Sequence, residues 1–377
     1  MKILIIDDEP EIRQQLAFVL EDEGYEAHTA GTGLEGLKNV ESQNFDIVIT
    51  DLRLPDLDGM EIVSRVKDIR PETIVVMITG HSSIENAVEA IRAGADDYVP
   101  KPINGDEILM KLEKAIEVRR IKGENLLFHR RLEMELDIAR KIQQTLLPQQ
   151  PPIVKGLDIG IFNQPAKQVG GDYHDLIVFP SGELGIAIGD VSGKGMPAAL
   201  LMANVQASIR RCLEHKHSPM DIVKIINDAL CPICQFIEEH RFVTLFCSIL
   251  DTSSGKLTYS NAGHNYPLVF KQDGTISELS SNGGLPCGII EDAYYDEASI
   301  NLETNDIAIF YTDGITEAMN SDGIIFGEER LIDMVSKNLD LDSNALITCM
   351  YEEISGFIGD SPQYDDMTMM VVKLTGL

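Results

Sequence analysis

Between residues 2 and 118 the sequence keeps one beat: a short apolar run, then a stretch with helical spacing, five times over. The runs at 2–6, 25–29, 45–50, 73–78 and 96–99 read as strands, and 10–21, 34–41, 59–68, 83–92 and 104–118 read as helices. Strands this short and this continuously apolar are buried on both faces, and a helix after each one returns the chain so that successive strands run parallel. The pattern predicts an α/β domain over residues 1–120, a doubly wound five-stranded parallel sheet with helices on both sides. In such a sheet, ligands gather beyond the carboxyl ends of the strands.

Polar residues fall at those ends. Asp7 and Asp8 close the first run, Asp51 follows the third, Thr79 the fourth, and Lys101 the fifth. Three neighbouring carboxylates repel unless a hard cation lies among them, and Mg²⁺, with its oxygen ligands and retained waters, suits that set. An aspartate so held can attack a phosphoryl group and become an acyl phosphate. Thr79 and Lys101 are then placed to hydrogen-bond and neutralise the phosphoryl oxygens. On Ile6-Asp7-Asp8, Asp51-Leu-Arg-Leu-Pro55 with Asp58-Gly59, Met77-Ile-Thr79-Gly80 and Tyr98-Val-Pro-Lys101-Pro102, the segment resembles a response-regulator receiver domain. The resemblance implies that Asp51 is phosphorylated by a sensor histidine kinase. It also implies that Asp8, Asp51 and the Arg53 carbonyl hold Mg²⁺ with Asp7 beside them, and that Tyr98 turns inward on activation.

Proline is absent from 103 to 147 and helix formers dominate there. Gly123 is the weak point, at about 1 kcal/mol relative to Ala. Pro148, Pro151 and Pro152 end the stretch, so 121–152 is expected to be a helical connector. Val118, Lys122, Asn125, His129, Leu132, Leu136, Ala139, Gln143 and Leu146 recur at alternating spacings of four and three, a coiled-coil seam with several polar positions. Such a seam predicts a weak, adjustable homodimer. The same periodicity also fits an amphipathic helix packed on its own domain.

After Pro152 the pattern changes to strands of alternating polarity, at 157–163, 184–189, 242–250, 256–260 and 307–311. Helical stretches intervene at 196–214, 219–236, 328–338 and 343–358, so residues 153–377 read as an α+β layered sandwich. Acidic residues recur at its strand ends, in Val169-Gly-Gly-Asp172-Tyr, Ile188-Gly-Asp190-Val-Ser-Gly-Lys-Gly195, Tyr311-Thr-Asp313-Gly and Tyr364-Asp365-Asp366-Met-Thr. Buried carboxylates are costly without compensating charge. No basic residues accompany these at similar frequency and no His–Cys set offers soft ligands, so Mg²⁺ or Mn²⁺ is the natural partner. Two such ions sharing a carboxylate can ionise a bridging water for in-line attack on a phosphoester.

These motifs resemble the stage II sporulation protein E-type branch of the metal-dependent (PPM) serine/threonine phosphatases, together with Ala139-Arg-Lys-Ile-Gln-Gln-Thr-Leu-Leu-Pro148 and Asn261-Ala-Gly-His264-Asn-Tyr-Pro267. The resemblance implies that Asp190 bridges two metals, with Asp313 and Asp365 at one site and Asp172 and the Val191 carbonyl at the other. Asp366 ranks second to Asp365, and the helices after Gly195 would be regulatory. The arginine and histidine that eukaryotic relatives use on the phosphate have no clear counterpart. Lys167, Lys194 and His264 are candidates on chemistry alone.

Composition removes other classes. With 61 acidic against 31 basic residues and a net charge of −30, the surface repels nucleic acid. No run reaches the ~20 apolar residues of a membrane span, and the first residues turn acidic too soon for a signal peptide, so a cytoplasmic address is expected. Cys231-Pro-Ile-Cys234 lies in a helical apolar segment and reads as buried packing. Gly170-Gly171-Asp172 resembles the start of a diguanylate cyclase signature, but Tyr173 and His174 break it. The expected activity is a phosphoserine/phosphothreonine protein phosphatase controlled by Asp51, resembling those that act on anti-sigma-factor antagonists in partner switching. The alternative is a catalytically inactive phosphatase-like scaffold that sequesters a partner protein when Asp51 is phosphorylated.

Overall fold

The computed structural model describes residues 1–80, 84–214, 218–236, 241–280 and 284–376. It divides into two compact units, 1–131 and 132–377. In the first, β1 (Lys2–Ile6), β2 (Glu26–Ala30), β3 (Ile47–Asp51), β4 (Ile74–Thr79) and β5 (Asp97–Pro100) form a parallel sheet in the order β2-β1-β3-β4-β5. The inner strands β1, β3 and β4 are almost wholly apolar because both faces are covered: Leu4, Ile6, Val48 and Met77 point into one core, Ile3, Ile5, Ile49 and Val76 into the other, whereas the edge strands β2 and β5 carry Glu26, His28 and Asp97. Helices α1 (Pro10–Asp22), α2 (Gly33–Ser42), α3 (Gly59–Ile69) and α4 (Ile84–Arg92) alternate with the strands. Ser83, where the fourth helix was expected to begin, lies outside the described residues. Thr32 caps α2 by accepting from the Glu35 N–H, and Asp58 caps α3 by accepting from that of Met60.

One 42-residue helix, α5 (Gly105–Leu146), runs through the expected boundary at 120. Asn104 caps its start by accepting from the Asp106 N–H at 3.0 Å, and Ile108 and Leu112 anchor it in the first unit's core. A Cβ on Gly123 would meet nothing, so no packing interrupts the helix there. Residues 121–135 are all exposed, whereas Leu136, Ala139, Gln143 and Leu146 are half-buried and Leu147 enters the second unit's core. The sequence seam therefore splits. Its last four positions follow the other reading, an amphipathic end whose Gln143 bonds the loop before Asp172 rather than a second helix. Upstream, the exposed apolar side chains are Val118, Ile121, Leu126, Leu127, Phe128, Leu132 and Met134, of which Val118, Ile121, Phe128 and Leu132 recur at helical spacing on one face that bypasses Lys122 and His129.

The second unit is a four-layer sandwich. One antiparallel sheet contains β7 (Tyr173–Val178), β8 (Leu184–Val191), β9 (Val243–Leu250), β10 (Lys256–Ala262) and β13 (Ala298–Asn301). The other contains β6 (Leu157–Gln164), β11 (Leu268–Phe270), β12 (Ile276–Glu278), β14 (Ile307–Tyr311) and β15 (Met367–Leu374). Alternation along each strand divides its side chains between layers. Ile186, Ile188, Phe246, Phe310 and Met370 pack between the sheets. Val191, Leu245 and Cys247 face α6 (Met196–Glu214) and α7 (Pro219–Phe236). Ile309, Tyr311 and Met369 face α9 (Glu328–Ser336) and α10 (Ser343–Ile358). Cys231 and Cys234 are buried in α7, where burial raises both thiol pKa values. They serve as small core residues. No helix among the described residues is long and apolar enough to cross a membrane.

Candidate functional site

In the first unit the strand ends bring the expected residues together. One carboxylate oxygen each from Asp7, Asp8 and Asp51 lies within 4.8 Å of the others. Lys101 Nζ reaches Asp7 at 3.0 Å, Glu9 at 2.9 Å and Asp51 at 2.5 Å. Burial works against the Lys101 charge, but its bonds to Asp51, Glu9 and Asp7 win and push its pKa up. Burial raises the Asp7 carboxyl, opposed by the Glu9 N–H and by Lys101. Asp8, Asp51, Arg53, Thr79 and Lys101 line one cavity of about 250 Å³. Tyr98 is half-buried beneath Lys111, whose Nζ sits 4.7 Å from the ring centroid.

In the second unit four strand ends, two from each sheet, deliver carboxylates to one edge of the sandwich. Asp172 precedes β7, Asp190 lies near the end of β8, Asp313 opens the short helix α8 (Asp313–Thr316) after β14, and Asp365 and Asp366 precede β15. Close approach of these loops depends on glycines. A Cβ on Gly171 would lie 2.9 Å from the Val191 carbonyl oxygen, and one on Gly314 only 1.9 Å from that of Asp366. This explains Gly170-Gly171 without a cyclase.

Burial, then repulsion from Asp313, Asp365 and Asp366, raises Asp190 to about 7. Burial and the charges of Asp190 and Asp366 push Asp172 well up, and burial also raises Asp313 and Asp366. Lys194 is the ammonium placed against this set, 3.0 Å from Asp365 and 4.2 Å above the Tyr364 ring. Its Nζ also donates to the Tyr364 carbonyl. Five carboxylates, with Lys194 the one ammonium in ion-pair contact with them among the described residues, offer oxygen donors that fit hard divalent cations. They are spaced more widely than the receiver triad, which alone among the described residues meets the 4.8 Å spacing.

The structure gives a part to threonines that the motifs contain but to which the sequence reading assigned none. Asp172 Oδ2 accepts from Thr312 Oγ1 at 2.8 Å and Thr368 Oγ1 at 2.6 Å, both from the opposite sheet. Asn163 donates to Thr368 in turn. These hydroxyls fix the carboxylate's rotation, as outer partners of metal ligands do. Both threonines sit beside quoted aspartates, and a buried hydroxyl there was the available signal. Asp366 accepts from the N–H groups of Ala166 and Gly171 at 2.7 and 2.6 Å, so both its oxygens hold the loop before Asp172. His264 is buried, bonds Thr244 through Nδ1 at 2.9 Å, and is lowered to about 4 by burial, which suits packing rather than phosphate contact. Lys167 is exposed on the wall of a cavity of about 620 Å³ that also includes Asp172.

The crowding has a testable sign. Unfolded carboxylates titrate near 4, so between about pH 4 and pH 7 the folded chain holds more protons than the unfolded one, and stability falls as pH rises through that window. With chelator present, the melting temperature of the second unit should drop from pH 5 to pH 8, and excess Mn²⁺ should shrink the drop. Calorimetry on the full chain measures both. A flat metal-free profile would mean that the carboxylates do not repel.

An acidic cluster at the strand ends of a parallel sheet, in one chain with an acidic site on a four-layer sandwich, defines a response regulator with a phosphatase-type output domain. The stage II sporulation protein E (SpoIIE) family matches residues 180–375, and the response regulator receiver domain matches residues 3–113. The chain belongs to the stage II sporulation protein E family and carries an N-terminal receiver domain. Among similar proteins, Protein IcfG of Synechocystis sp. (strain ATCC 27184 / PCC 6803 / Kazusa) is 30% identical over 263 residues, 63% of this chain and 41% of that protein. Phosphoserine phosphatase RsbU of Bacillus subtilis (strain 168) is 29% identical over 243 residues, 64% of this chain and 70% of that protein. This chain thus spans less than half the length of IcfG. The SiaA-PP2C domain of Pseudomonas aeruginosa shares the fold, with a TM-score of 0.58 at 20% identity over 65% of this chain and 98% of that one.

Proposed function

We propose that the chain hydrolyses phosphoserine or phosphothreonine in a protein substrate, under control of phosphorylation at Asp51 by a sensor histidine kinase. The observation that carries this reading is the convergence of Asp172, Asp190, Asp313 and Asp365 from both sheets, with burial and mutual repulsion raising Asp190 to about 7. On this reading Asp172, Asp190, Asp313, Asp365 and the Val191 carbonyl would hold two Mn²⁺ or Mg²⁺ ions, with Asp190 the carboxylate that both would share, Asp313 and Asp365 at one, and Asp172 with the Val191 carbonyl at the other. When bound, the ions supply an ionised water and positive charge for in-line attack on the phosphoester. Thr312 and Thr368 hold Asp172 in one orientation. Lys194, already beside Asp365, is placed to exchange that partner for a substrate phosphate oxygen. In the receiver, Asp7, Asp8, Asp51 and the Arg53 carbonyl would hold Mg²⁺, and Lys101 and Thr79 would take the phosphoryl oxygens on Asp51.

The phosphoserine phosphatase activity in the name of RsbU supports this substrate class. Resemblance to partner-switching phosphatases points to an anti-sigma-factor antagonist as the phosphoprotein. The test is Mn²⁺-dependent phosphate release from a phosphoserine protein, with and without acetyl phosphate. A folded protein that binds Mn²⁺ and is labelled on Asp51, yet hydrolyses no such substrate, would leave a binding scaffold instead.

Homodimerisation belongs to the same proposal, through the exposed stripe Val118, Ile121, Phe128 and Leu132. Fully burying such a side chain is worth about 1.5–3 kcal/mol. Phe128→Glu with Leu132→Glu should therefore convert a dimer to monomer in light scattering. If this double variant associates as the native chain does, the stripe is not the interface.

A further inference from the structure

We infer that Gln143 is a positioning residue that clamps the loop carrying Asp172, so the docked end of α5 sets the metal affinity of the second unit. The inference rests on the metal site proposed above. Gln143 donates its Nε2 to the Gly170 carbonyl at 2.7 Å and accepts the Gly170 N–H on Oε1 at 3.1 Å. One side-chain amide thus satisfies both backbone groups of a buried residue, a pairing that fixes the peptide's position and orientation together. The next N–H, of Gly171, is held by Asp366 at 2.6 Å, and Asp172 follows immediately. A side chain at 170 would have to displace that carboxylate, because a Cβ there would lie 2.7 Å from Asp366 Oδ2. The loop is therefore held between Asp366 on one side and α5 on the other.

The same end of α5 is tied to its surroundings by further polar contacts. Gln206 of α6 donates to the Leu146 carbonyl at 3.2 Å, and His174 Nε2 lies 3.4 Å from the Pro148 carbonyl. Asp175, next along β7, is paired with Arg210 of α6 at 2.8 Å. The three elements that meet here are the connector, a helix after Gly195 and β7, the strand that follows Asp172. The cavity of about 620 Å³ beside Gln143 is lined by Arg140, Gln144, Lys167 and Asp172. If α5 turns or withdraws, the Gly170 groups meet this polar space, where water can bond them. Release is then tolerable, and the loop has two accessible states, clamped and loose. Rotating α5 by a fraction of a turn is enough to select between them, because Gln143 must present both ends of its amide to Gly170.

The experiment uses the full chain with Gln143→Leu, Gln143→Glu and, on the exposed side of the helix, Lys141→Ala. Hydrogen exchange over residues 168–173 reads the clamp directly, and Mn²⁺ binding reads the site, the receiver's own cation site being common to all variants. Gln143→Leu should speed exchange at Gly170 at least about tenfold and weaken Mn²⁺ binding by about 10- to 100-fold, the usual effect of losing an outer partner of a metal ligand. Gln143→Glu keeps an acceptor for the Gly170 N–H but offers no donor to its carbonyl, so it should fall between Gln143→Leu and the native chain. If Gln143→Leu does not fold, Gln143→Glu alone carries both measurements. Lys141→Ala should match the native chain. Native exchange and native Mn²⁺ affinity in the folded Gln143 variants would overturn the clamp. Neither measurement needs a substrate, so they decide the clamp even if no phosphatase activity is found, the result that would overturn the proposed function instead.

Discussion

Asp190→Asn is expected to remove phosphoserine hydrolysis by on the order of 10³-fold or more, since outer partners of metal ligands alone are worth about 10- to 100-fold. An amide cannot bridge two cations as a carboxylate does, and it cannot replace the charge that draws them in. The same substitution should not unfold the chain. Asp190 is half-buried, and desolvation together with repulsion from Asp313, Asp365 and Asp366 raises its carboxyl to about 7, so the neutral amide relieves repulsion in the metal-free protein. Its melting temperature in chelator at pH 8 should equal or exceed that of the native chain. Activity lost together with stability would point to a structural role for Asp190, and retained turnover would end the two-metal reading. Chelation of the native protein should reproduce the loss of activity, with recovery on adding Mn²⁺.

Asp51→Asn is expected to take labelling by acetyl phosphate in Mg²⁺ from about one phosphoryl group per chain to none, because an amide oxygen cannot form an acyl phosphate. The native carboxylate is half of a preformed pair, with Lys101 Nζ at 2.5 Å and the Arg53 N–H at 3.1 Å on its two oxygens. That geometry leaves the ammonium ready to follow the charge onto the phosphoryl oxygens. Asp51→Ala should keep basal hydrolysis, since Asp51 belongs to the first unit and lines its own cavity with Asp8, Thr79 and Lys101. What it should lose is the change in activity on adding phosphodonor. A coupling of about 1.4 kcal/mol between the sites corresponds to a tenfold change, well within the range of a phosphate-release assay. Phosphate remaining on the protein after Asp51 is replaced would place the acceptor elsewhere.

Local chemistry was legible in the sequence. Strands buried on both faces announce themselves as apolar runs, so the parallel sheet of the first unit and the helices over the sandwich were found nearly residue for residue. A carboxylate at a strand end marks out Asp51, and carboxylates beside glycines mark out Asp172, Asp190 and Asp313, because both the polarity and the chain reversal are encoded within a few residues. The periodicity of α5 was equally visible, but its meaning was not. A spacing of four and three specifies which side chains share a face and says nothing about what covers that face. Tertiary structure assigned Leu136, Ala139, Gln143 and Leu146 to the helix's own unit and left Phe128 and Leu132 exposed. It also decided that Asp366 turns both oxygens to backbone N–H groups. The hydroxyls that orient Asp172 come from Thr312 and Thr368, 140 and 196 residues away in the chain. Such bonds depend on two sheets stacking in one register, and a pairing between distant residues leaves no periodic trace along a single sequence.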